Sequence, residues 1–189
     1  MESVSEQQFS EWAARLSRSD EKALDELFDK TFEVYVKFAW RFTKDKSSAV
    51  DIVQNSFIKL WQIRADLDPS QSLKTYIYRM VKNNALNYLR DNRQHSLQVD
   101  ELQLADPDAG ISEPSEENPL AEHLKKWVED LPKRQQQVFE LSRYDGLTHE
   151  EIAGVLQIAP RTVNNHMVAA LNTLKDNYEN YRQRRKNIA

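Results

Sequence analysis

The stretch LTHEEIAGVLQIAPRTVNNHMVAALNTL, residues 147–174, decides how the rest of the chain is read. Thr148 stands where a helix N-cap belongs, and Glu151 follows three residues later. That is the spacing of a capping box, in which each side chain satisfies the other residue's backbone N–H. Leu147 and Ile152 flank the cap as a hydrophobic staple. Ile152, Ala153, Val155 and Leu156 mark one buried face of this first helix. Gln157, Ile158 and Ala159 make a short connection. Pro160 then suits the first position of a second helix, where its missing N–H costs nothing. Val163, Met167, Ala170, Leu171 and Leu174 recur at helical spacing as its inner face. Arg161, Asn164, Asn165 and Val168 are left on the outer side.

Two helices joined this closely make a helix-turn-helix, and the outer face of the second carries suitable chemistry for DNA. A recognition helix touches base edges in the major groove with its N-terminal residues. Arginine presents paired donors to guanine, and asparagine presents a donor and an acceptor to adenine. Thr162 stands where a hydroxyl and a helix N-terminus together can hold a phosphate. Arg161, Thr162, Asn164 and Asn165 are therefore the candidate base- and phosphate-reading set. The plainer alternative is a two-helix corner with a solvated polar face.

The rest of the chain bears on that choice. A length of 189 residues suits one large or two small domains. Only three glycines and no strand-like alternation point to an all-α fold. With no cysteine there is no disulfide framework and no thiolate metal site, which fits a reducing cytoplasm. No run of about 18 apolar residues exists to span a membrane, and the start, MESVSEQQFSEW, lacks a signal-peptide layout. The expected location is cytoplasmic. His95, His123, His149 and His166 are scattered, with no ligand or triad spacing, so no catalytic residue, metal or cofactor is expected.

A net charge of −4 looks unfavourable for binding nucleic acid. Its distribution removes the difficulty. Between Gln94 and Leu124 lie Asp100, Glu101, Asp106, Asp108, Glu113, Glu116, Glu117 and Glu122, with no Lys or Arg among them. Setting those eight charges aside takes the balance from −4 to +4. Local patches, not the total, govern contact with DNA.

Outward from the opening stretch, residues 1–18 read as a short amphipathic helix with Phe9, Trp12, Ala13 and Leu16 on one side. A second helix begins at Ser19 or Asp20 and keeps Ala23, Leu24, Leu27, Phe28, Phe32, Val36 and Ala39 in rhythm to Phe42. After a polar break at 43–48, a third runs to Trp61 through Val50, Val53, Phe57 and Leu60. Its opposite face displays Asp51, Gln54, Asn55, Ile58 and Lys59, which suits a protein partner or, equally on spacing alone, a solvated surface. Residues 62–72, with Pro69, read as a loop. The helix from Leu73 to Asn92 carries Lys74, Arg79, Lys82 and Arg90, with Arg93 just beyond, against the single acid Asp91. Tyr76, Tyr78, Tyr88, Asn83, Asn84 and Asn87 are interleaved with these. Basic groups neutralise phosphate and exposed aromatics stack on unpaired bases, so this mixture suits a strand being opened. Residues 94–118, with Pro107, Gly110, Pro114 and most of the acids, read as a flexible acidic linker. Beyond it, Leu124, Trp127 and Val128 are expected inward on one helix, and Leu131, Val138, Phe139 and Leu141 around the next. Asp145-Gly146 closes that helix, and Arg182, Arg184, Arg185 and Lys186 form a basic end. The organisation expected is two small helical domains, 1–93 and 119–189, joined by the linker 94–118.

Three stretches together resemble the extracytoplasmic-function (ECF) group of bacterial RNA polymerase sigma factors, in the sigma-70 family. They are DEKALDELFDKTFEVYVKFAWRF with SSAVDIVQNSFIKLW, then SLKTYIYRMVKNNALNYLRDNR, then LPKRQQQVFELSRYDGLTHEEIAGVLQIAPRTVNNHMVAALNTLK. The resemblance implies a non-catalytic initiation subunit that binds core RNA polymerase and directs it to promoter DNA, with an anti-sigma factor as a further partner and no membrane insertion. It implies polymerase binding by Asp51, Gln54 and Asn55, where Asn55 stands in place of the family's usual acid, and Ile58 on the same face joins that set. It assigns the −10 element to the helix of Tyr76, Asn83 and Asn84, with Tyr76 where a tryptophan is common, and the basic face read above adds Lys74, Arg79, Lys82 and Arg90 to that set. It puts a pocket for a flipped base in the loop 65–71, sends the linker through the polymerase, and assigns the −35 element to Arg161, Thr162, Asn164 and Asn165. The rival reading is a helix-turn-helix regulator of the response-regulator output type, which would bring a receiver domain with buried strands. An enzyme would need a nucleophile and base in reach, and a protein-binding adaptor would leave the Arg161-Asn164-Asn165 set unexplained.

Overall fold

The computed structural model describes residues 4–68, 71–96 and 119–186. Every regular element among them is helical. The chain divides into two compact units, Met1–Ala109 and Gly110–Ala189, each with its own core. The acidic segment expected as a linker lies, from residue 97 on, outside the described residues.

The first unit contains α1 (Glu6–Leu16), α2 (Glu21–Thr43), α3 (Lys46–Gln62) and α4 (Leu73–Ser96), with a short 3-10 turn at Arg64–Asp66. Short polar side chains start the first three. Ser5 accepts from the Gln8 N–H, Asp20 from Lys22 and Asp45 from Ser48. Each such cap contributes about 1 kcal/mol. α2, α3 and α4 pack on one another, and α1 lies across α2 and α4. The centre is aromatic. Tyr78 stands edge-on to Tyr35 at 4.9 Å and to Phe38 at 5.0 Å, and Phe57 meets Phe28 at 5.1 Å.

Two expectations shift here. The buried stripe of α2 runs through Ala23, Leu27, Thr31, Tyr35, Phe38 and Ala39, one position round from the line through Leu24, Phe28, Phe32 and Val36, which are half-buried. Three helices pack on α2, so its inner face is wide, and Thr31 can turn inward because its hydroxyl donates to the Leu27 carbonyl at 2.6 Å. α4 also runs to Ser96, past the end expected near Asn92, because nothing in Gln94, His95 or Ser96 breaks a helix.

The second unit contains α5 (Pro119–Glu129), α6 (Lys133–Arg143), α7 (His149–Leu156) and α8 (Pro160–Lys186). α8 is its spine, and α5, α6 and α7 all pack on it. Gly146 takes a φ of +64° in the turn before α7, a left-handed conformation that glycine adopts without a Cβ penalty. Leu147 and Ile152 are buried, as the staple requires. At the end of α7, Gln157 takes the left-handed conformation (φ 55°, ψ 48°) and redirects the chain into Pro160. Leu124 and Leu171, both expected inward, are instead 45% and 40% exposed. The contact between α5 and α8 is made further along, where Trp127 and His123 meet Tyr181 at ring distances of 5.9 and 4.8 Å.

Candidate nucleic-acid interface

The capping box that opens α7 is complete. The Glu151 N–H donates to the Thr148 hydroxyl at 3.2 Å, and the Thr148 N–H donates to the Glu151 carboxylate at 2.6 Å. With its start so fixed, α7 buries Ile152, Val155 and Leu156 under α8, and α8 buries Val163, Met167 and Ala170 in return. Burying a side chain such as Ile152 contributes roughly 1.5–3 kcal/mol. The interlock decides which residues of α8 look outward. Arg161, Asn164 and Asn165 are exposed in its first turns, and Thr162 is half-buried. Arg161, Asn164 and Asn165 lie on the outer side, as the spacing implied, and Thr162 lies at its edge.

On α4 the outcome is mixed. Tyr76, Arg79, Asn83, Asn87 and Arg90 recur at intervals of three and four, so they share one face. Asn83, Asn87 and Arg90 are exposed, and Tyr76 and Arg79 are partly so. The Arg79 guanidinium lies 5.4 Å from the Tyr76 ring centroid, a cation–π arrangement that orders both groups. Arg90 reaches the carboxylate of neighbouring Asp91 at 3.4 Å.

Three residues grouped with this face are occupied elsewhere. Lys82 is 8% exposed, because it falls on the stripe of Tyr78, Val81 and Ala85 that packs inward. Asn84 donates to the Ser56 hydroxyl at 2.9 Å, and Ser56 donates to the Ile52 carbonyl at 2.7 Å, so Asn84 ties α4 to α3. Lys74 sits 3.6 Å from Glu6 of α1, with its side chain only 16% exposed. Among the tyrosines, Tyr78 is core, and Tyr88 accepts a 2.6 Å hydrogen bond from Ser48. The α4 residues available to DNA are thus fewer than composition suggested.

A cleft of about 340 Å³ lies beside the first turn of α4, against residues of the loop where the resemblance puts a pocket, but the sequence did not resolve its lining. Ile63, Asp66, Asp68, Gln71 and Tyr76 line it, together with Ala13 from α1. It combines apolar walls, an aromatic ring and hydrogen-bonding side chains, which suits a flat polar ring such as a base. Tyr76 and the polar loop were visible signals. The part played by Ala13 was not, because it comes from fifty or more positions away.

A third surface lies on α3. Asp51, Gln54, Asn55 and Ile58 are all exposed on one side of the helix, with Ile58 56% exposed. An isoleucine this open among polar neighbours has the makeup of a protein-docking face.

The two units match two regions of one family. Residues 27–95 match sigma-70 region 2, and residues 124–174 match sigma-70 region 4. The chain belongs to the sigma-70 family. Within it this is an ECF sigma factor, a transcription initiation factor that directs promoter-specific transcription by RNA polymerase. The ECF RNA polymerase sigma-E factor of Salmonella typhimurium is 27% identical over 166 residues, covering 82% of this chain and 86% of its own. Among solved structures, CnrH in complex with the cytosolic domain of CnrY has a similar fold, with a TM-score of 0.65 at 19% identity over 91% of this chain and 97% of its own. RpoE in complex with the anti-sigma factor NepR from Bartonella quintana also has a TM-score of 0.65, at 18% identity over 84% and 98%. The response-regulator alternative is not favoured, since region 2 has no counterpart in that reading and no strand occurs among the described residues. Among those residues, no helix of this sigma factor is long and apolar enough to cross a membrane.

Proposed function

We propose that the two units divide the promoter between them. In the second, Arg161, Asn164 and Asn165 read base edges of the −35 element in the major groove, and Thr162 holds a phosphate. In the first, Tyr76, Arg79, Asn83 and Arg90 follow the non-template strand of the opened −10 element. Lys74 assists by offering a further ammonium N–H to a phosphate while it keeps Glu6. The cleft lined by Gln71 and Tyr76 receives an unpaired base, offsetting part of the few kcal/mol that unstacking costs. Asp51, Gln54, Asn55 and Ile58 dock on core polymerase. Asn84 supports this arrangement from within the α3–α4 packing, and Lys82 from the inward face of α4. The protein acts in the cytoplasm without catalysis of its own.

The observation that carries this reading is the separation of the faces. Arg161, Asn164 and Asn165 are exposed on α8 in one unit, and Tyr76, Arg79, Asn83 and Arg90 share an open or partly open face of α4 in the other. Two solved relatives of similar fold are held by protein partners, one of them an anti-sigma factor. We extend that to this chain as an anti-sigma partner. The test is transcription by purified core polymerase with this protein on fragments of the source genome. Start sites should map to a shared pair of promoter elements, and the protein should co-purify with core polymerase in the absence of DNA. Failure of both would remove the assignment.

A further inference from the structure

We infer that α1 is a positioning element for the cleft beside α4, and so helps decide which unpaired base the protein accepts. This rests on the reading of the cleft as a base site. α1 lies ahead of the matched region 2, which begins at residue 27. Three contacts nonetheless run from α1, or from the turn that ends it, to the parts that build the cleft. Ala13, 2% exposed, forms part of its wall. The Ser19 hydroxyl accepts a 3.0 Å hydrogen bond from Arg64 Nε in the 3-10 turn. Glu6 pairs with Lys74 on the first turn of α4.

Arg64 makes the link stiff. Its Nη1 donates to the Trp61 carbonyl at 2.8 Å, and its guanidinium lies 4.0 Å from the Trp61 ring centroid. The arm that reaches Ser19 is therefore already fixed at the end of α3. α1 is itself fastened to α2. Trp12 Nε1 donates to Glu26 at 3.0 Å, and Arg15 reaches Glu26 at 2.8 and 2.9 Å and Asp20 at 2.7 Å. The 3-10 turn that follows α3 is thus braced to the α1–α2 turn. A pocket that sorts bases by shape and hydrogen bonds needs its walls held to within about half an ångström, and this brace supplies such support from outside the cleft.

Ser19 provides the test, because it separates bracing from stability. Its φ of +61° is left-handed, which glycine adopts more readily than serine. Ser19→Gly removes the hydroxyl while relieving the backbone, so the melting temperature should hold or rise. Holoenzyme is assembled with core polymerase and bound to fork-junction DNA whose unpaired −10 strand carries each of the four bases in turn at each position. Ser19→Gly should reduce discrimination between the best and worst base at one position by roughly three- to tenfold, the scale of one lost hydrogen bond. Ser19→Asn keeps a side-chain oxygen and tolerates the left-handed backbone, and should restore much of the discrimination. Ala13→Leu, which extends a side chain from the cleft wall, should change the base ranking at the same position.

If Tyr76→Ala alters the ranking while Ser19→Gly and Ala13→Leu do not, the cleft is a base site and the role of α1 is overturned. If Tyr76→Ala also leaves the ranking unchanged, the cleft reading falls and takes this inference with it. An equal loss at all four bases would make α1 a brace for folding alone, which also overturns the inference.

Discussion

Thr148 and Glu151 each satisfy a backbone N–H that the first turn of α7 would otherwise leave without a partner. Thr148→Ala should destabilise the second unit by about 1 kcal/mol. For a domain of this size that lowers the melting temperature by about 4–8 °C, readable by circular dichroism, and Thr148→Ser should recover most of it. Arg161 offers a sharper functional test. Its replacement by Ala should cost about 1–3 kcal/mol of promoter affinity, concentrated at one base pair of the −35 element. Equal weakening on every sequence would make it a phosphate contact. Both residues were legible in the sequence because caps and helix starts are local patterns. Lys82 and Asn84 were not. Being basic or amide-bearing on a basic helix says nothing about which way a side chain points, and their direction follows from which helices α4 packs against.

At the scale of the element, α1 shows how much a visible amphipathic pattern leaves open. Phe9, Trp12, Ala13 and Leu16 mark its inner face in the sequence and are all buried. The ionic fastening to Asp20 and Glu26 depends on the turn that follows. The Arg15 guanidinium, and then the Trp12 N–H, hold the Glu26 carboxyl down at about 2, below its ordinary 4.5. Arg15 lowers Asp20 as well. A carboxylate whose folded pKa is depressed stabilises the fold above its ordinary pKa and loses that contribution as pH falls toward the folded value. The melting temperature of the first unit should therefore be level above about pH 5 and fall between pH 4.5 and about 2. Arg15→Gln should shrink the part of that fall due to these two groups, as a pH series of thermal melts would show. On α4, Arg90→Ala should reduce the salt dependence of binding to single-stranded −10 DNA, with the slope of log K against log salt falling by about 0.7. An unchanged slope would take Arg90 away from the phosphates.

Across the whole molecule, the functions should come apart by substitution. Ile58→Asp places a charge on the exposed apolar point of α3 and should weaken binding to core polymerase by about tenfold or more, measured by fluorescence anisotropy. Binding to a −35 duplex should be unchanged. Arg161→Ala should do the reverse. If Ile58→Asp left polymerase affinity intact, the α3 face would be ordinary solvated surface.

Much of this molecule was legible because its signals are short-range. Helical periodicity, capping residues and a break in composition are set within a few positions of the chain, and they were enough for an all-α fold with a helix-turn-helix at its C-terminal end. The outward positions of Arg161, Asn164 and Asn165 followed too, since one well-marked inner face settles the opposite one. Tertiary structure decided everything that depends on which helix meets which. It rotated the buried stripe of α2 toward Tyr35 and Phe38, turned Lys82 inward, and left Leu124 and Leu171 in the open. It also brought Ala13 and Ser19 to the segment before α4. Periodicity states that a helix has an inner side, but only the neighbouring helices determine where that side is centred and which polar groups within it find partners.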